Sequence, residues 1–139
     1  MEKQEINHPY IKVGRISMTV AKNAGIRCAD IYISKNQITH IWNKHSKELE
    51  AIGFSSVDFV SSICKNFNQI RIGSGTSLLL VIYNEKLPYV AAIDINYSLK
   101  KEFWEIKTAE PRRVSKVDKR PLIWEAAKHT SNGNRNRSN

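Results

Sequence analysis

Between Ile33 and Gly53 the chain reads ISKNQITHIWNKHSKELEAIG. Apolar residues recur there at helical spacing, at Ile38, Ile41, Trp42, Leu49 and Ile52, and form a core-facing stripe. Ser34 and Asn36 are helix-starting residues and Gly53 is a natural stop, so one helix of about 15 residues is predicted between Ser34 and Gly53. At about 100° per residue His45 falls inside the stripe, while His40, Lys44 and Lys47 share the opposite, wetter flank. A second helix is predicted over Ser56 to Phe67, with Phe59, Val60, Ile63, Cys64 and Phe67 on its inner side. Ser55 and Asp58 stand at capping-box spacing at its start.

The period then changes from about 3.6 to about 2 residues. Gln69–Ile72, Ser77–Tyr83, Tyr89–Tyr97 and Glu102–Thr108 read as four strands joined by short polar turns. Connections this short make neighbours antiparallel, so the expected topology is a four-stranded meander. Before the helices, Tyr10–Val20 alternates and is rich in β-branched residues. A turn is expected over Ala21–Ala29 and a returning strand over Asp30–Ile33, giving an N-terminal hairpin. The fold class predicted is α+β: a hairpin, then two helices packed on one face of a four-stranded antiparallel sheet. A single domain over residues 1–128 is expected, with residues 10–33 as a hairpin extension and 34–111 as its core. Trp124 should dock on it as a last strand or helical turn, and residues 129–139 have the composition of a disordered basic tail.

Composition changes this picture mainly through charge. The 139 residues carry a formal net charge of +9, with a pI near 9.7. From Arg112 onward eight Lys/Arg face two acids, whereas residues 1–111 hold fourteen against eleven. That balance favours a polyanionic partner, nucleic acid before an anionic membrane. Cys28 and Cys64 are too few and too far apart for a disulfide framework or metal cluster. The opening residues lack the apolar run of a signal peptide and no window is long enough for a membrane span, so a cytoplasmic location is expected.

Alternation also sorts the strand side chains into faces. Helices should cover Ile70, Ile72, Tyr89, Ala91, Ile93, Ile95, Trp104, Ile106 and Thr108. The opposite face then gathers Arg71, Asp94, Asn96, Glu105 and Lys107. Two carboxylates, two cations and an amide on one open surface suit metal-free phosphodiester cleavage through the 2′-hydroxyl of RNA. That reaction needs a base, an acid at the leaving oxygen and positive charge on the phosphate. Glu105 is the candidate base, a histidine the acid, and Arg71 or Lys107 the phosphate clamp. The plain alternatives are a solvated sheet face of mixed charge and a core histidine with a bonded ring.

Other patterns are excluded on geometry. Gly73–Ser77 is rich in glycine and hydroxyls but joins two strands and lacks the following Lys of a phosphate loop. His40 and His45 lie about 140° apart on a helix, unsuited to one metal ion, and no cofactor is implied. No nucleophile elbow or Cys–His pair is present.

The stretch Ile38-Thr39-His40-Ile41-Trp42-Asn43-Lys44-His45, a second helix, the strand at Gln69 and Trp104-Glu105-Ile106-Lys107-Thr108-Ala109 together resemble the Barnase–EndoU–colicin–RelE superfamily of ribonuclease toxins. The similarity is to its phage-type members and spans Ile31 to Pro111. It implies a metal-independent RNase toxin and nominates His40, His45 and Thr108, with Lys107 beside Thr108. The family strand often continues past Thr with an aromatic and a Lys; here Ala109-Glu110-Pro111-Arg112 follows, and Arg112 and Arg113 supply the positive charge. The expected function is therefore an endoribonuclease acting on RNA, such as tRNA or another structured RNA, with a cognate acidic immunity or antitoxin protein as second partner. Lys44, Arg71, Asn96, Arg112 and Arg113 are the expected substrate-binding residues. A non-catalytic nucleic-acid-binding module and a phage or toxin-system interaction domain are the alternatives.

Overall fold

The structure, a computed structural model, describes residues 9–127. The expected tail at 129–139 and the first seven residues lie outside them. Among the described residues, four helices and one seven-stranded mixed sheet make an α+β fold. In chain order the elements are β1 (Tyr10–Ile16), α1 (Met18–Ala24), β2 (Ala29–Ser34), α2 (Lys35–Ala51) and α3 (Ser56–Asn66). β3 (Gln69–Ile72), β4 (Leu78–Ile82), β5 (Tyr89–Asn96), β6 (Phe103–Pro111), α4 (Val114–Asp118) and β7 (Leu122–Glu125) follow.

The sheet corrects the four-stranded antiparallel meander. Its order is β1-β2-β6-β5-β4-β3-β7, and β2 runs parallel to β6 through the pairings Ile31 with Trp104 and Tyr32 with Glu105. Strands β1 and β2 pair antiparallel, but no simple hairpin turn joins them. Helix α1 fills the expected turn: the Ser17 hydroxyl accepts from the Val20 amide at 3.2 Å, and Gly25 ends the helix at φ 72°. Met18 and Val20 suit a strand by type, yet the cap before them and the left-handed glycine after them decide the local structure.

Helix α2 starts where expected, with the Ser34 hydroxyl accepting from the Gln37 amide at 3.0 Å. It is not one straight rod. His45 has φ −129° and ψ 15°, outside the helical range, and marks a kink between two helical segments. Ile41 and Leu49, on either side of the kink, are fully buried. Helix α3 is capped by Ser55, whose hydroxyl accepts from the Asp58 amide at 3.1 Å.

Two apolar layers hold these parts together. The main one lies between the helices and one sheet face, with Ile31, Ile41, Leu49, Phe59, Ile63, Ile70, Leu80, Ile93 and Ile106 buried in it. A smaller one lies on the other face, where Val117 of α4 packs on Leu79, Val81, Val90 and Ala92. Strand β4, LLLVI, is an unbroken apolar run because it is central and covered on both sides. Trp124 docks within β7, which pairs with β3, and its ring meets Phe67 at 5.7 Å.

A bulge in β6 corrects one face assignment. Ala92 pairs with Thr108 and Ile93 with Ile106, so Lys107 is the extra residue. Thr108 therefore joins the face of Ala92 rather than that of Trp104 and Ile106, and Ala109 turns into the main core.

Cys64 lies in that core, and burial pushes its thiol up to about 12. Since the thiolate is the reactive form, Cys64 should resist a thiol-modifying reagent in the folded protein, with Cys28, half-buried, as the site modified first. Peptide mapping after a short native-state reaction checks this. Labelling of Cys64 at the rate seen in denaturant would contradict it.

Candidate functional site

Strand β2 pairs with β6 across only two residues before the chain turns into α2. The later half of β6 then runs beside α2. Gln37 donates to the Lys107 carbonyl at the bulge, and two turns further along α2 His45 meets Glu110. The kink falls where α2 must place an imidazole against the strand end.

His45 is held between two carboxylates. Its Nδ1 lies 2.7 Å from Glu48 Oε1, and its Nε2 lies 3.0 Å from Glu110 Oε1. The first contact is a hydrogen bond; the second has ion-pair distance without hydrogen-bond alignment, and Nε2 is closed to solvent. The side chain as a whole is 12% exposed. Glu110 shares its other oxygen with Arg112, whose Nε donates to Oε2 at 2.8 Å. Glu48 is the freer carboxylate, more than half exposed on the helix surface.

These groups line a polar cleft of about 350 Å³ with Pro111, Arg113 and Lys116. Arg113 and Lys116 are exposed and make no ion pair among the described residues. Leaving His45 aside, three cations face two carboxylates, so the cleft carries surplus positive charge. Two other hollows are lined mainly by apolar groups and contain neither His nor a carboxylate. The one beside Trp104 is larger, about 570 Å³, but offers no group that can transfer a proton near neutral pH.

The other expected site residues separate into three places. Asn96 Nδ2 donates to Glu105 Oε1 at 2.7 Å, and Lys107 Nζ lies 3.6 Å from the same oxygen. That trio stands on the open sheet face, with Thr108 half-buried further along the same strand. Glu105 and Glu110 pair with Asp94 and Val90, four steps apart on the ladder or about 13 Å, so Glu105 does not reach His45. Asp94 is engaged by Thr76, which donates at 2.8 Å. His40 and Lys44 are exposed on α2 and line none of these clefts.

Arg71 is the clear correction. It shares the open face by register but is only 8% exposed beneath α4. Its Nε donates to Gln69 Oε1 at 2.9 Å, and Nη1 donates to the carbonyls of Arg120 at 2.8 Å and Val117 at 3.3 Å. The guanidinium lies over the Tyr83 ring at 5.5 Å. Such a group is occupied in tying α4 and the following turn to β3, and it belongs to the fold rather than to a phosphate clamp.

Glu48 and Glu110 escape a reading by strand face and apolar stripe. Glu48 had a signal, since residues three apart on a helix are neighbours and His45 with Glu48 has that spacing. Glu110 had none, because the bulge that sets its direction is invisible in alternation.

At the other end of β6, Lys12 Nζ at 3.3 Å, Arg15 Nη1 at 2.8 Å and Lys101 Nζ at 3.5 Å converge on Asp30. Burial opposes ionisation of Asp30, but the hydrogen bond from Arg15 and the charges of Lys12 and Lys101 outweigh it and hold its carboxyl below the usual range. Among the described residues no group of three or more His, Cys, Asp or Glu is arranged to hold a metal ion, and no helix is long and apolar enough to cross a membrane. Comparison with protein-family models, with curated proteins and with solved structures finds no match.

Proposed function

We propose that the His45 cleft is the catalytic centre of a metal-independent endoribonuclease. The observation that carries this is the imidazole set between Glu48 and Glu110 inside a cleft with surplus cations. Proton-transfer groups and phosphate-binding charge thus meet in one place. Arg113 and Lys116 take the scissile phosphate and stabilise the charge that develops on it. Glu110, braced by Arg112, fixes the ring from the Nε2 side. The working edge is Nδ1. Glu48 leaves it to take the proton of the 2′-hydroxyl, and the imidazolium form of His45 then gives its Nδ1 proton to the departing 5′-oxygen and ends as a neutral ring. The new P–O bond gives a 2′,3′-cyclic phosphate as the P–O bond to the leaving nucleoside breaks.

RNA in the cytoplasm is the substrate in this reading, and an acidic inhibitor protein would complement the same cations. The toxin-superfamily resemblance of the helix and final strand supports the reaction class, while the base moves from Glu105 to Glu48. The second reading, a non-catalytic nucleic-acid-binding module, is favoured by the enclosure of Nε2 and the neutralisation of Glu110 by Arg112.

Incubation of the purified protein with a defined oligoribonucleotide in chelator decides between them. The expected products end in 2′,3′-cyclic phosphate, and the matching deoxyribonucleotide stays intact. Retention of the RNA on the protein without cleavage, with or without divalent cations, would establish the binding module instead.

A further inference from the structure

One carboxylate needs one cationic partner, yet Asp30 has three. Lys12 and Arg15 come from β1 and Lys101 from the turn before β6, and each side chain is about half exposed. Lys101 also donates to the Tyr32 hydroxyl at 3.1 Å and lies over that ring at 5.1 Å. The nearby Arg27 does not add to the surplus, since Glu102 pairs with it at 3.3 Å. Like charges gathered so closely repel unless an anion joins them, and after Asp30 is counted the cluster keeps two positive charges.

Its position relative to the cleft follows from register. Lys12 pairs with Tyr32, and Tyr32 pairs with Glu105 on β6. From Glu105 to Glu110 the ladder advances four steps, about 13 Å, the span of a few nucleotides of extended backbone. Between the two ends the open face presents Asn96, Lys107 and Thr108, and Glu105 is already engaged by two of them.

We propose that Lys12, Arg15 and Lys101 form a second RNA-phosphate site, so that a single strand lies along β6 with one phosphate here and the scissile one in the His45 cleft. This rests on the ribonuclease reading for the cleft, but the binding half of it is measurable without catalysis. The site favours single-stranded substrates several nucleotides long over dinucleotides, and it recognises backbone rather than base.

The test uses the full chain and an uncleavable 2′-O-methyl RNA of about twelve nucleotides. Three phosphate-directed cations contribute about two to the slope of log affinity against log salt. The triple variant Lys12→Gln, Arg15→Gln, Lys101→Gln should lose about that much slope, bind the RNA more weakly at low salt, and cleave a dinucleotide at the wild-type rate. Asp30→Asn should act oppositely and tighten binding, a result that a merely structural cluster would not give. Unchanged affinity and slope in the triple variant, or weaker binding by a folded Asp30→Asn protein, would overturn the proposal. A wild-type protein that binds with the expected slope but cleaves nothing would overturn the ribonuclease reading and leave the phosphate site standing.

Discussion

Replacing His45 with Ala should lower RNA cleavage by about 10²–10⁴-fold, the range that a positioned proton-transfer group supplies. The fold should survive the change. Glu110 keeps its bond to Arg112, and Glu48 is exposed enough to be rehydrated, so no buried charge is orphaned. The His45 side chain lines the polar cleft, so its removal takes no apolar group from the main core. Single-turnover cleavage of an oligoribonucleotide, with circular dichroism to monitor folding, gives the measurement. His40→Ala is the matched control: that histidine is exposed on another flank of α2, and its loss should leave the rate within about twofold. Equal losses in the two variants, or none in either, would remove His45 from the reaction.

Gly14→Ala should destabilise the protein by about 1–3 kcal/mol, the usual cost of forcing an extra group into a filled core. A Cβ built on Gly14 would lie 2.7 Å from Cys64 Cβ. Neither atom can swing away, because each is fixed directly to its own backbone, so β1 and α3 have to separate. Gly14 also sits where the β1–β2 register shifts, between Lys12 and Gly14, which limits how far the strand can slide to relieve the clash. In urea the midpoint should fall with the slope unchanged. Adding Cys64→Gly should recover part of the loss beyond simple additivity, since the two positions touch. A Gly14→Ala protein as stable as the parent would mean that this strand and helix are less closely packed than described.

How much of this was legible beforehand depended on how local the signal was. The helix beginning at Ser34 and the one after Ser55 were readable because cap, stripe and stop lie within the same stretch of chain. The strands Gln69–Ile72, Leu78–Ile82 and Tyr89–Asn96 were readable for the same reason, through alternation or an apolar run between turns. The partners of β2 were not. Nothing near Ile31 announces that it will pair in parallel with Trp104, because that choice is made by the packing of two intervening helices. The bulge at Lys107 was likewise silent, and it redirected Thr108 and everything after it. Arg71 misled for a different reason. Alternation gave its face correctly, but not that the short helix after Arg113 would close over that part of the sheet. Of the candidate cleft, His45, Arg112 and Arg113 could be named from residue type and charge, whereas Glu110 and Lys116 needed the three-dimensional path of the chain.

The parallel pairing of β2 with β6 has a consequence for the order of events during synthesis. Strand β2 leaves the ribosome before β3, β4 and β5, and its inner partner β6 only after them. Until β6 emerges, the edge of β2 that it will occupy has no native neighbour, and contacts so distant in sequence form late and slowly. Glu110, Arg112, Arg113 and Lys116 arrive later still, at the end of β6 and just beyond it. A nascent chain therefore carries His45 with no cleft around it until β6 and the residues just beyond it have emerged.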